Sequence, residues 1–200
     1  MSGHIWNERK WLVNKANNLI FHEPTRGVDV GEKPERLTML NKELLRIVRD
    51  SFALDTDGIH GESHWMRVFE TGISLAAKTG AIMAVVELFA LLHDSCRMND
   101  GRDPEHGSRA AVLARSLAGS VFVLPETELE LLAAACRGHT KGGRVGDITV
   151  LTCWDADRLD LGRVGIKPRP DRLCTDAARN PEFLAWAYER SRAGDQSPRR

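Results

Sequence analysis

A histidine and an aspartate stand side by side in Leu91-Leu92-His93-Asp94, at the polar end of an apolar run that includes Val85, Val86, Leu88 and Phe89. Burying an imidazole beside a carboxylate is costly unless something compensates, and a bound metal ion is the cheapest compensation. Further candidates sit at the ends of other apolar segments: His64, His106, His139 and Asp155. Three or four imidazoles with carboxylates suit a divalent transition metal such as Fe, Mn, Co, Ni or Zn better than an all-oxygen Mg or Ca site. Such an ion would lower the pKa of bound water and steady negative charge on a phosphoryl oxygen.

These residues need helices to position them. Apolar periodicity predicts a helix over 82–96 that delivers His93 and Asp94. In a helix starting at Glu62 or Ser63, His64 shares a stripe with Val68, Thr71 and Leu75. Asp103 as N-cap and Pro104 as first residue predict a helix to about residue 117, with His106 in its first turn. A helix over 125–137 stops at Gly138-His139-Thr140-Lys141-Gly142-Gly143. A helix over 147–161 buries Ile148, Val150, Leu151 and Trp154, with Asp155 emerging beside them. Outside this core the pattern predicts helices over 6–20 and 34–52, a loop over 21–34 and a break at Lys167-Pro168-Arg169-Pro170. A terminal helix over 181–192 and a polar tail follow. With almost no alternating strand pattern, the fold should be all-α. The expected division is N-terminal helices over 1–54, a core over 55–166, C-terminal helices over 167–192 and a tail over 193–200.

Composition narrows the function. Lysines and arginines number 28 and so do acidic residues among 200, so no global field favours nucleic acid or a membrane surface. The longest apolar stretch, 81–92, is interrupted by Glu87 and too short to span a bilayer, and Met1-Ser2-Gly3-His4-Ile5-Trp6 lacks a secretory leader's apolar run. Cys96, Cys136, Cys153 and Cys174 form no C-x-x-C pair, which suits free thiols in a reducing compartment. The expectation is a cytoplasmic protein with a small substrate and no membrane or nucleic-acid partner; whether it forms a homodimer stays open.

The ordered set resembles the HD-domain superfamily of metal-dependent phosphohydrolases, small stand-alone bacterial type, whose signature is a histidine, a His-Asp pair and a distant aspartate. The matching residues are His64 in Ser63-His64-Trp65-Met66-Arg67-Val68, the pair His93-Asp94, and Asp155 in Trp154-Asp155-Ala156-Asp157-Arg158-Leu159-Asp160. The resemblance covers about residues 57–166. It implies a compact helical bundle and hydrolysis of a phosphate ester or anhydride of a nucleotide or other small phosphorylated metabolite by a metal-activated water. It implies His64, His93, Asp94 and Asp155 as ligands of the first metal, with Asp157 behind them. His106 and His139 would serve a second metal or a substrate phosphate, and His139-Thr140-Lys141-Gly142 is similar to a motif of HD enzymes that cleave dinucleoside polyphosphates. Asp94 or Asp157 would orient the nucleophile, and Arg67, Arg97, Lys141 and Arg158 would meet phosphate. His60 would line the entrance or donate a proton. Subgroups with a glutamate three residues after the His-Asp aspartate are not matched, because Arg97 stands there.

Two other functions use the same residues. A di-iron oxygenase of the same fold would draw on His64, His93, Asp94, His106, His139 and Asp155, and an idle nucleotide-binding module would keep the fold without turnover.

Overall fold

The computed structural model describes residues 42–193. Its helices are α1 (Lys42–Ser51), α2 (Glu62–Thr79), α3 (Met83–Leu92), α4 (His106–Leu117), α5 (Glu126–Gly138), α6 (Ile148–Arg158), α7 (Asp176–Arg179) and α8 (Pro181–Ala193). Short 3-10 turns fall at His139–Lys141, Leu161–Val164 and Pro170–Arg172. No strand occurs among the described residues, only an isolated bridge between Ala118 and Phe122. The fold is all-α, as its periodicity predicts. None of the described helices is long and apolar enough to cross a membrane.

Helix α3 is the centre of the bundle. Val85, Val86, Phe89, Ala90, Leu91 and Leu92 are all buried, and α2, α5 and α6 pack around it. Most of its surface is covered, with only the side of Met83, Ala84, Glu87 and Leu88 half-buried, which is why its sequence is almost continuously apolar. It ends earlier than the periodicity predicts, at Leu92, and His93 to Cys96 form a tight turn. The last carbonyls are satisfied locally: the Phe89 oxygen accepts the His93 N–H at 3.0 Å, His93 Nδ1 lies 3.2 Å from the Ala90 oxygen, and Ser95 Oγ donates to the Leu92 oxygen at 2.8 Å. Helix α4 also starts later than expected, because Asp103 spends its carboxylate on the Met98 N–H at 2.9 Å and on Arg109 instead of capping.

Other boundaries follow local chemistry. Gly80 closes α2 in the left-handed region at φ 75°, and the Asp147 side chain caps α6 by accepting from the Thr149 N–H. Ile148, expected inside, is 42% exposed, since it is the first residue of α6 and precedes the turn that faces the core. The segment after α6 folds back, burying Leu173, Ala178 and Ala187 in the same core as α2 and α3. The helix over 6–20, the loop over 21–34, the start of the helix over 34–52 and the tail lie outside the described residues.

One glycine is needed by packing. A Cβ on Gly107 would lie 2.3 Å from the Cys136 oxygen and 3.3 Å from His139 Cε1, so only glycine lets the first turn of α4 lean on the end of α5. Gly107→Ala should cost about 1–3 kcal/mol, a fall in Tm of about 3–10 °C in thermal denaturation followed by far-UV circular dichroism. An unchanged Tm would mean that α4 has room to move.

Candidate metal centre

Four imidazoles meet in the core, and in each the Nδ1 atom is already committed. His64, in the first turn of α2, has Nδ1 2.7 Å from Asp160 Oδ2. His93 stacks on Phe89 with centroids 4.8 Å apart, its Nδ1 facing the Phe89 and Ala90 oxygens at 3.1 and 3.2 Å. His106 Nδ1 faces the Asp103 oxygen at 2.5 Å and His139 Nδ1 the Cys136 oxygen at 2.7 Å. Carbonyl and carboxylate oxygens only accept, so each Nδ1 carries a proton, and Nε2 is the nitrogen left to offer a lone pair to a cation. These lone pairs point at one another: His64 Nε2 is 3.1 Å from His93 Nε2, and His106 Nε2 is 2.8 Å from His139 Nε2. Metal–nitrogen bonds are about 2.0–2.1 Å, which sets neighbouring ligands of one ion about 3 Å apart. The donor set therefore fits a divalent transition metal in each half.

Asp94 stands between the two pairs. Its Oδ2 is 3.6 Å from His64 Nε2 and 3.7 Å from His93 Nε2, and its Oδ1 is 3.1 Å from His106 Nε2 and 3.4 Å from His139 Nε2. Within each half, His64 with His93 and Asp94, and Asp94 with His106 and His139, donor atoms all lie within 4.8 Å. Asp157 closes the first half, its Oδ1 3.6 Å from His64 Nε2 and 3.8 Å from His93 Nε2. Burial alone would raise the Asp94 carboxyl, yet the imidazoles around it, His93 first and then His106, His139 and His64, hold it well below the ordinary range. Asp157 is lowered against burial by His93, His139 and His64. Burial drives the His93 imidazole down to about 3 despite Asp94 and Asp157, while Asp94 raises His139 against its own burial. Two carboxylates set among these imidazoles make a pocket that attracts cations.

The aspartate assignment is corrected. Asp155, expected to face the imidazoles, accepts from the Cys174 N–H at 2.7 Å and from the Thr175 N–H and Oγ1 at 2.8 Å each. Its carboxylate fastens the C-terminal segment to α6. Residues two apart on a helix point about 200° apart, so only one of Asp155 and Asp157 can face the centre, and Asp157 does. Asp160, missed in the sequence, holds His64. Its signal was its place one turn beyond Asp157 in the same acidic string.

Two expected phosphate-binding cations are also corrected. Arg67 is locked on Asp160, with Nε to Oδ1 at 2.6 Å and Nη2 to Oδ2 at 3.0 Å. Arg158 lies over the Trp154 ring and donates to the Gly143 and Arg172 oxygens at 2.9 and 3.0 Å. Arg97 does reach the centre, its Nε 3.1 Å from Asp94 Oδ1. Lys141 is exposed in the 3-10 turn that begins with His139, without an ion pair among the described residues. His60 is buried beside His64, ring centroids 6.4 Å apart, with Nδ1 2.9 Å from Asp100 Oδ1. Burial lowers its pKa despite Asp100, so the neutral ring accepts at Nε2 and does not suit the proton-donor role. Trp65 packs edge-on against Phe52 and Trp154 donates to the Ala135 oxygen, so both are scaffold. All four cysteines are free thiols.

An all-helical bundle whose central helix ends in a His-Asp pair, facing a histidine from the preceding helix and an aspartate from a later one, places the chain in the HD-domain superfamily. It is similar to the crystal structure of a predicted HD superfamily hydrolase from an uncultured Thermotogales bacterium. The TM-score is 0.59 at 26% identity, covering 74% of this chain and 84% of the other. No family model matches the chain. A ribose/galactose/methyl galactoside import ATP-binding protein of Albidiferax ferrireducens is 58% identical over 33 residues, so the chain spans only 6% of that relative's length.

The two aspartates of α6 should separate in experiment. Asp155→Ala leaves three donors unpaired and should cost about 3 kcal/mol, a Tm lower by about 10 °C. Asp157→Ala should keep the melting temperature and weaken binding of Mn(II) in calorimetry. The reverse pattern would restore Asp155 to the centre.

Asp160 carries a pH signature. Burial opposes its ionisation, but His64 and Arg67 hold the carboxyl below its ordinary range. Its contribution to stability is thus present above the unfolded value of about 3.9 and is lost as pH falls through the lowered one. Metal-free Asp160→Asn should unfold at lower urea than wild type at neutral pH, the gap closing below about pH 4. Its metal affinity should fall about 10- to 100-fold; an unchanged affinity would show that His64 needs no such support.

Proposed function

We propose that the protein is a metal-dependent phosphohydrolase that cleaves a phosphate ester or anhydride of a nucleotide or other small phosphorylated metabolite with an activated water. The observation that carries this reading is the convergence of four Nε2 lone pairs on the two oxygens of Asp94. The Thermotogales neighbour, described as a predicted HD superfamily hydrolase, supports the reaction type.

His64, His93, Asp94 and Asp157 would hold a first divalent ion, and Asp94, His106 and His139 a second. Such ions, when bound, supply a nucleophilic water at neutral pH and neutralise charge developing on the phosphoryl oxygens. The chain's own residues do the rest. Asp160 keeps the His64 proton on Nδ1, so that Nε2 stays a donor to metal. Arg97, fixed by the Asn99 and Gly101 oxygens, offers its guanidinium to phosphate. Asp157 is the least buried acid of the centre, with 17% of its side chain exposed, so the first half opens toward solvent on its side and water and substrate enter there. Lys141, beside His139, draws an anion toward the opening.

Protein loaded in turn with Mn, Fe, Co, Ni and Zn should release phosphate from at least one member of a panel of nucleotides, phosphomonoesters and phosphodiesters. It should do so without oxygen, and Asp94→Ala should lower the rate by at least about a hundredfold. Turnover that requires oxygen would favour the di-iron oxygenase, and no turnover with any metal would favour an idle binding module.

A further inference from the structure

The two halves of the centre differ in charge. His64 and His93 face two carboxylates, Asp94 through Oδ2 and Asp157 through Oδ1. His106 and His139 face one carboxylate oxygen, Asp94 Oδ1, and that oxygen already accepts from Arg97 Nε at 3.1 Å. Asp103 is already partnered, its Oδ2 accepting from the Met98 N–H at 2.9 Å and from Arg109. The charge of Asp160 is met by Arg67 at 2.6 Å and Arg163 at 3.7 Å. Arg97 is itself immobilised by the Asn99 and Gly101 oxygens at 3.2 and 3.3 Å.

Asp94 and Asp157 bring two negative charges to the imidazoles and Arg97 returns one positive charge. One divalent ion already overcompensates this cluster, and a second raises the excess to three charges. In a buried site such an excess is tolerated only when an anion enters with it.

We infer that the half formed by His64, His93, Asp94 and Asp157 holds a resident divalent ion, and that the half formed by His106 and His139 takes a second ion only together with a phosphate-type dianion. Arg97 imposes this coupling by holding Asp94 Oδ1. The inference rests on the metal-binding reading of the centre and deepens it: metal count and substrate binding become linked, and by reciprocity the second ion tightens phosphate by the same factor that phosphate tightens the ion.

The experiment titrates Mn(II) into metal-free protein by calorimetry, with and without inorganic phosphate, and follows exchange coupling between two Mn(II) ions by electron paramagnetic resonance. Wild type should bind one equivalent without phosphate. With phosphate it should bind a second, at least about tenfold tighter, and show a coupled pair. Arg97→Gln should take the second ion without phosphate about 10- to 100-fold more tightly than wild type, and Arg97→Lys, which keeps the charge, should restore phosphate dependence. Two equivalents of similar affinity in phosphate-free wild type would overturn the inference, as would a single equivalent that phosphate does not change. An Arg97→Gln titration identical to wild type would overturn the role of Arg97. Absence of any Mn(II) binding would instead sink the metal reading of the centre. Should Arg97→Gln loosen the 97–101 loop, the phosphate dependence of wild type alone still decides the first point.

Discussion

Asp94 stands inside the core with four imidazoles, two on each side, turned toward its oxygens. Neither partner is stable there alone: an isolated buried carboxylate would take up a proton, and four facing lone pairs would repel. A cation would resolve the arrangement, and the scaffold holds the groups that could bind it. Helix α3 is buried along most of its surface and through its last turn, which anchors its end, and α4 and α5 approach closely enough, through Gly107, for His106 and His139 to meet. Each Nδ1 is pinned by a carbonyl or by Asp160, so the direction of every lone pair is decided by backbone as much as by side chain.

Three aspartates within one short stretch divide the work. Asp155 faces outward from the centre and fastens residues 174–175 to α6, Asp157 faces the imidazoles of the first half, and Asp160 orients His64 while paired with Arg67. Their partners differ: backbone amides for Asp155, the imidazoles of the first half for Asp157, and the His64 ring for Asp160. The C-terminal segment is thereby part of the same folded unit as the helices that carry the centre, since Leu173, Ala178 and Ala187 are buried with it.

Arg97 gives the centre its asymmetry. A glutamate there would add negative charge beside the second pair of histidines, whereas arginine subtracts it and supplies a donor for an anionic ligand. On the proposed reading, charge balance in the cluster would tie the number of ions to what else is bound, a property of the whole cluster and of no single ligand.

Much of this was legible in the sequence. The helical periodicity, the apolar run leading to His93-Asp94, and the order of His64, His106 and His139 around it follow from local chemistry, because burial patterns and caps are written in residue type and spacing. The approximate extents of α2, α5, α6 and α8 follow in the same way. The choice between Asp155 and Asp157 was not legible. They differ by a rotation about the helix axis, and which side faces the imidazoles depends on where α6 packs against α2 and α3. Nor could the sequence reveal that Arg67 and Arg158 are consumed by Asp160 and by backbone oxygens, that α3 ends at Leu92, or that Asp160 stands behind His64. Residue types by themselves determined that this protein is helical and that it gathers histidines and acids around one His-Asp pair. Which atom faces which was decided only by tertiary packing, because a side chain's partner is set by the neighbouring element and not by its own.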